Sequence, residues 1–561
     1  MTCKEAILSN EYADIILDYT LPGEFLSRLN FDYCFRRVDD EFGIVQIERQ
    51  KIPELSLGVN NYASIPKLYG LMQTFQAENL IEMGNIRIQN PPLSLQGKGV
   101  IIGFIDTGIR YQLDVFKDEE GNSRILSIWD QTIQSGEPPE GFLYGTEYTR
   151  EEINQALRSD TPLAVVPSTD ENGHGTAMAS AAAGSIINQG LTFRGAAPQA
   201  DIAVVKLKGA KDYLRNFYVI NDAATAYQEN DIMEAVKYLE QMAVVFKRPV
   251  VIVLGIGTNM GSHTGASMLG AYINKIAAKR SRAIVVCGGN EGDKEHHYSG
   301  TVPDQVEFRV EENTKGFCME LWGCRVDTYI AYIRTPGGEM TPIIDFRNEV
   351  DRNISFLFDK TKIYAGIVLV EQRSGDELIF LRFEDPTPGV WSVIVSPSEQ
   401  ERLRGTGCFN IWLPITEFID GAAQFLEPSP ETTLTEPSNV ENVITISAYN
   451  GLNGSWFPES GRGYSRNNMI KPDLAAPGVD VSTALGGRTG SSLAAALSAG
   501  CVAQFMEWAI VEQNAPFIES VGIKSYFIRG AVRENNIVYP DKRWGYGKLN
   551  INGTFETLAR T

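Results

Sequence analysis

Gly99-Val100-Ile101-Ile102-Gly103-Phe104-Ile105-Asp106-Thr107-Gly108 begins with seven uncharged residues and ends on a carboxylate followed by a turn glycine. A run this apolar leaves no face for water, so it reads as a strand covered on both sides. Asp201–Leu207, Pro249–Leu254 and Ala283–Cys287 have the same texture. Between the first two of these, Asp231–Leu239 places apolar residues at helical spacing. Buried strands alternating with helices predict a parallel sheet with helices on both faces. Asp106 then falls at the carboxyl end of a strand, the edge where open α/β sheets keep their sites.

The rest of the 561-residue chain divides around that region. Residues 1–60 hold two strand-like runs, Ala13–Tyr19 and Phe42–Ile47, too little for a stable domain unless it docks on something larger. Residues 61–300 carry the α/β pattern. From 301 to 435 short alternating runs such as Thr328–Ile333 and Val390–Val395 are separated by turn clusters such as Thr335-Pro336-Gly337-Gly338, which predicts an all-β insert, a sandwich or jelly roll. Residues 436–561 return to α/β texture, with Val443–Ser447 and a helix of small residues starting near Ser492.

Apolar residues make up 43% and charged residues 21%, so a large core is available. Fifty basic against seventy acidic residues leave a net charge of -20, which argues against nucleic-acid or anionic-membrane binding. No run approaches the length of a membrane span. The first residues lack the basic and apolar regions of a secretory signal, so synthesis in the cytoplasm is expected. Seven scattered cysteines without a CxxC pattern read as reduced thiols, Cys318 and Cys324 included. His296 and His297 lack metal-ligand spacing and read as part of a polar loop.

Two other segments share the chemical interest of Asp106. In Asn172-Gly173-His174-Gly175-Thr176 an imidazole sits between two glycines at the start of a helix of small residues. In Gly490-Ser491-Ser492-Leu493-Ala494 a serine opens a helix, where free N–H groups and the positive dipole end collect. A serine hydroxyl is a poor nucleophile at neutral pH and needs a base within hydrogen-bond reach. An imidazole can take its proton and return it to a leaving amine, and a carboxylate fixes the imidazole tautomer. Between His and Ser, Cys287-Gly288-Gly289-Asn290-Glu291-Gly292 follows a buried strand and offers an amide that can donate to an oxyanion.

The chain order Asp, His, Ser is that of subtilisin. Residues 61–300 and 436–561 resemble a subtilisin-type serine peptidase of the S8 family, on Asp106-Thr107-Gly108, Gly173-His174-Gly175-Thr176, Gly288-Gly289-Asn290-Glu291-Gly292 and Gly490-Ser491-Ser492-Leu493-Ala494. The resemblance implies that Asp106 orients His174, that His174 is the general base, that Ser492 is the nucleophile, and that Asn290 with the Ser492 amide forms the oxyanion hole. Ser491 stands where the family usually has Thr. Leu254, Gly255 and Ile256 match the strand that lines the family's peptide-binding cleft, with Ile256 in place of its second glycine. No cofactor is implied; structural Ca²⁺ occurs in the family, but no ligands for it can be picked from this sequence.

The long Asp–His interval, the segment Asn61–Leu71, the β insert and Arg543-Trp544-Gly545-Tyr546-Gly547 are similar to the Csp proteases of Clostridia, which combine a retained prodomain, a subtilase core and a jelly-roll insert. This implies that residues 1–60 are a prodomain, chaperone and inhibitor of the core, whose last strand lies in the cleft, and that the chain cuts itself between about residues 53 and 76. The insert would clamp core and prodomain together. The implied partners are the prodomain and a protein substrate, a spore cortex-lytic proenzyme activated in germination. Two other readings stay open: a catalytically silent scaffold or germinant sensor that keeps the triad, and an intracellular peptidase outside sporulation.

Overall fold

The four apolar runs lie side by side in one eight-stranded sheet. The computed structural model describes residues 2–19, 34–52, 54–72, 94–185, 187–189, 191–347, 350–398 and 403–560. Across the sheet the strands run Leu474–Pro477, Ile444–Tyr449, Arg282–Cys287, Val250–Leu254, Ile101–Asp106, Asp201–Lys206, Ile125–Asp130 and Thr146–Thr149. All neighbours are parallel except the last pair, an antiparallel edge. Alternate side chains of each run enter different cores. Ile102, Phe104, Val251 and Val253 face one side; Ile101, Ile105, Val250, Ile252 and Leu254 face the other. Helices Glu229–Val245 and Met268–Ala277 cover the second face, and His174–Ala183 and Ser491–Met506 pack against the first. Gly103 lets the first of these approach closely, since a Cβ there would come within 2.6 Å of Leu239 Cδ1.

Every residue of Ser491–Met506 is buried, because a stripe of Ala, Ser and Gly lets neighbouring backbones close around it. This corrects the expectation that nothing approaches a membrane span: Ser491–Val511 is long and apolar enough to cross a bilayer, but 83% of its apolar window is buried inside the protein.

The N-terminal unit is a three-stranded antiparallel sheet, Tyr12–Asp18, Phe42–Glu48 and Cys34–Arg37, beside helix Cys3–Leu8. It docks on the core through buried charge pairs, Asp14 with Lys211 at 2.9 Å and Arg36 with Glu234, and on the β insert through Asp18 with Arg373 at 2.6 Å. Between His297 and Phe425 the chain forms two antiparallel sheets of six and four strands. They share an aromatic core that includes Phe308, Phe317, Phe383 and Trp391.

The cysteine expectation is overturned. Cys3 pairs with Cys34 and Cys324 with Cys408 in disulfides, whereas Cys287, Cys318 and Cys501 are free and buried. The Cys324–Cys408 partners are 84 residues apart, and only the antiparallel register that sets Gly323 opposite Phe409 makes them neighbours. Of the two histidines, His296 lies in a polar loop as expected, whereas His297 opens the strand His297–Thr301. Both are buried; His296 bonds Glu291 at 3.0 Å, and His297 and His263 stack on the ring of Trp412. Among the described residues no group of three His, Cys, Asp or Glu side chains could hold a metal ion.

Candidate active site

Asp106 ends the central strand, His174 begins its helix, and Ser492 is the second residue of the buried helix. Tertiary folding brings them into one line. His174 Nδ1 lies 2.8 and 2.9 Å from the two Asp106 oxygens, and His174 Nε2 lies 3.0 Å from Ser492 Oγ. All three are buried. Burial works against a charged imidazole, but the Asp106 carboxylate, by its charge and its hydrogen bond, outweighs that and holds the His174 pKa above its ordinary value.

Asn290 projects from the turn after strand Arg282–Cys287. Its Oδ1 accepts from the Ser491 amide at 3.0 Å, which leaves Nδ2 buried with no acceptor. An orphaned buried donor is costly unless something else binds it. The Ser492 amide belongs to the first turn of its helix, where N–H groups have no intrahelical partner.

A residue the sequence reading passed over holds the two motifs together. Asp170 Oδ1 accepts from Thr107 Oγ1 at 2.8 Å and Gly173 N at 2.7 Å, and its Oδ2 accepts from Thr176 N at 2.9 Å and Thr176 Oγ1 at 2.6 Å. Thr107 is the neighbour of Asp106, and Gly173 and Thr176 bracket His174, so one buried carboxylate ties both loops. Its signal was an acid four positions before the histidine in Asp170-Glu171-Asn172-Gly173-His174.

Of the expected cleft residues, Leu254 turns its side chain into the core. The edge that leaves the main sheet begins one residue later, and it is covered by a strand of the same chain. Leu68–Leu71 lies antiparallel between Tyr227–Gln228 and Ile256–Gly257, with Tyr69 opposite Tyr227, Gly70 opposite Gly257 and Leu71 opposite Ile256. The ladder continues as Met72 N donates to the Gly255 carbonyl at 3.0 Å. Gly255 adjoins the catalytic imidazole: a Cβ there would stand 3.1 Å from His174 Cε1. The peptide is thus led, by backbone bonds alone, to the His–Ser pair. Residues 53 and 73–76 of the expected self-cleavage window lie outside the described residues.

Known proteins are similar to this chain in sequence and fold. The model of the subtilase family matches residues 97–314 and 426–547, more than half of the chain. The solved structure of the Clostridium perfringens CspB protease is 30% identical over 84% of this chain and 97% of that one, with a TM-score of 0.73. Among curated proteins of Arabidopsis thaliana, subtilisin-like protease SBT3.6 is 24% identical over 69% of this chain and 52% of its own length. Subtilisin-like protease SBT3.5 is 29% identical over 37% of this chain and 27% of its own length. The chain therefore spans about half, or less, of the curated relatives it matches. With the matched segments enclosing Asp106, His174, Asn290 and Ser492, this chain belongs to the subtilase family of serine peptidases.

Proposed function

We propose that the protein is a serine endopeptidase that cuts its own chain on the C-terminal side of Met72. The observation that carries this is the strand Leu68–Leu71, seated antiparallel in the cleft, and the Met72 amide that follows it, bonded to the Gly255 carbonyl beside His174. A peptide bound there adds a strand to an existing edge, so affinity comes from backbone bonds. Ser492 Oγ attacks the Met72 carbonyl carbon as His174 Nε2 takes the hydroxyl proton. The carbonyl oxygen becomes an oxyanion held by Asn290 Nδ2 and the Ser492 amide. His174 then gives the proton to the departing amine, leaving an acyl-enzyme that water hydrolyses by the same steps. Intact mass measurement of purified protein tests this. The wild type should yield a fragment ending at Met72, and a chain that stays whole under conditions where Ser492 is reactive removes the self-cleavage reading.

The similarity to Csp proteases extends the proposal to a physiological substrate, a spore cortex-lytic proenzyme activated in germination. Incubation with such a proenzyme should give one discrete cut; no cut by protein that has processed itself would exclude this substrate class.

Asn290→Leu keeps the branched shape and removes the donor, together with the Oδ1 that accepts from the Ser491 amide. Self-cleavage should slow by about 10²–10³-fold, the usual loss for one oxyanion donor. A slowing of less than about fivefold would place the oxyanion elsewhere. The raised His174 pKa sets the acid limb of activity, because only the neutral imidazole can accept the serine proton. Labelling of Ser492 by a fluorophosphonate should therefore fall as pH drops, with a midpoint above the ordinary histidine value of about 6.5. A midpoint below that value would mean that Asp106 does not support the imidazolium.

A further inference from the structure

The β-sandwich does more than flank the core. Its Ile415–Phe418 turn forms a roof over the strand in the cleft. The turn is pinned on both sides. Glu291, next to the oxyanion asparagine, accepts from Thr416 N at 3.2 Å and Thr416 Oγ1 at 3.1 Å. On the other side Thr225 N donates to Glu417 Oε1 at 2.9 Å, and Asn221 N donates to the Phe418 carbonyl at 2.9 Å. Ile415 and Phe418 are each 1% exposed and belong to the main core.

Alternate residues of a strand share a face. Leu68 and Met72 are large, buried, and packed in the same core as Ile415 and Phe418. Gly70, between them on that face, has less room, and a larger residue there must push the Ile415 side chain aside. A Cβ at Gly70 would come within 2.5 Å of Ile415 Cδ1, 3.2 Å of Phe418 Cε1 and 3.4 Å of Glu417 Oε2. The backbone of Gly70 is an ordinary ladder residue opposite Gly257, so its need for glycine is one of space.

We propose that this roof makes the enzyme a reader of glycine: it accepts peptides with glycine two residues before the residue whose carbonyl is attacked, flanked on the same face by large apolar side chains. This rests on the self-cleavage reading above, and it gives the β-sandwich a part in choosing substrates as well as in holding the N-terminal unit.

The test pairs two substitutions and two readouts in the full-length chain. Gly70→Ala should slow self-cleavage about tenfold or more, the effect expected from overfilling a packed site, and Gly70→Val more. Ile415→Ala, which removes the nearest roof atom, should restore most of the rate to the Gly70→Ala chain. In a Ser492→Ala background, where no cutting occurs, hydrogen exchange over residues 68–72 should quicken at least tenfold in Gly70→Ala and slow again in Gly70→Ala with Ile415→Ala. Wild-type rates and exchange in Gly70→Val would overturn the proposal, as would a Gly70→Ala defect that Ile415→Ala leaves untouched. If no chain cuts itself but exchange follows the expected pattern, the self-cleavage reading fails and glycine reading by the roof stands as a property of binding.

Discussion

Ser492→Ala is expected to abolish fluorophosphonate labelling and to lower self-cleavage by about 10⁶-fold, the loss measured when the serine of a subtilisin-type triad is removed. Ser492 Oγ is the group 3.0 Å from His174 Nε2, and its side chain is fully buried. No neighbour is placed to take over: the adjacent Ser491 hydroxyl is buried without a hydrogen-bond partner, and the imidazole Nε2 faces Ser492 Oγ. Deleting one hydroxyl at the start of a helix of small residues should leave the fold intact, so the variant should melt within a few degrees of the wild type. Detection of labelled or processed Ser492→Ala chain would refute the assigned nucleophile.

Asp106→Asn is expected to cost about 10⁴-fold in the same assays. The direction follows from the hydrogen bonds of the carboxylate. Asp106 Oδ1 accepts from the Thr107 amide at 2.8 Å, so in asparagine the oxygen should remain there and the NH₂ group should occupy the place of Oδ2. That group would face His174 Nδ1, which now lies 2.9 Å from Oδ2 and 2.8 Å from the retained oxygen, and the added donor favours the tautomer with Nδ1 unprotonated. The proton then resides on Nε2, and the imidazole cannot accept one from Ser492. The variant should also lose the charge that raises the His174 pKa, moving the acid limb of its residual activity to lower pH. Residual activity within tenfold of wild type would show that the carboxylate neither fixes the tautomer nor supports the imidazolium.

The parts legible in the sequence are those with a local physical signature. The continuous apolar runs predicted the doubly covered sheet because a strand buried on both faces cannot carry polar side chains. Asp106, His174 and Ser492 were found because each sits where a strand ends or a helix begins, with a glycine within two residues, and because together they follow the Asp, His, Ser order. The errors have equally physical causes. Leu254 was taken for a cleft residue because the pattern of a strand does not say where its paired core gives way to a free edge; ladder register places that edge at Gly255–Gly257. Asp170 went unread because an acid before a histidine acquires meaning only when two loops fold onto it. The disulfides were missed because thiols distant in sequence become neighbours only through strand pairing.

The sequence by itself determined the layered α/β architecture, the β texture of residues 301–435, and the kinds of chemical group available for acyl transfer. Only the tertiary structure decided that His174 meets an aspartate 68 residues away and a serine 318 residues away, that the cleft holds the chain's own Leu68–Met72, and that Ile415–Phe418 roofs it. Burial periodicity is written into each segment by its own side chains. Separations between distant segments depend on the register and crossing order of many strands at once, and no single stretch encodes them.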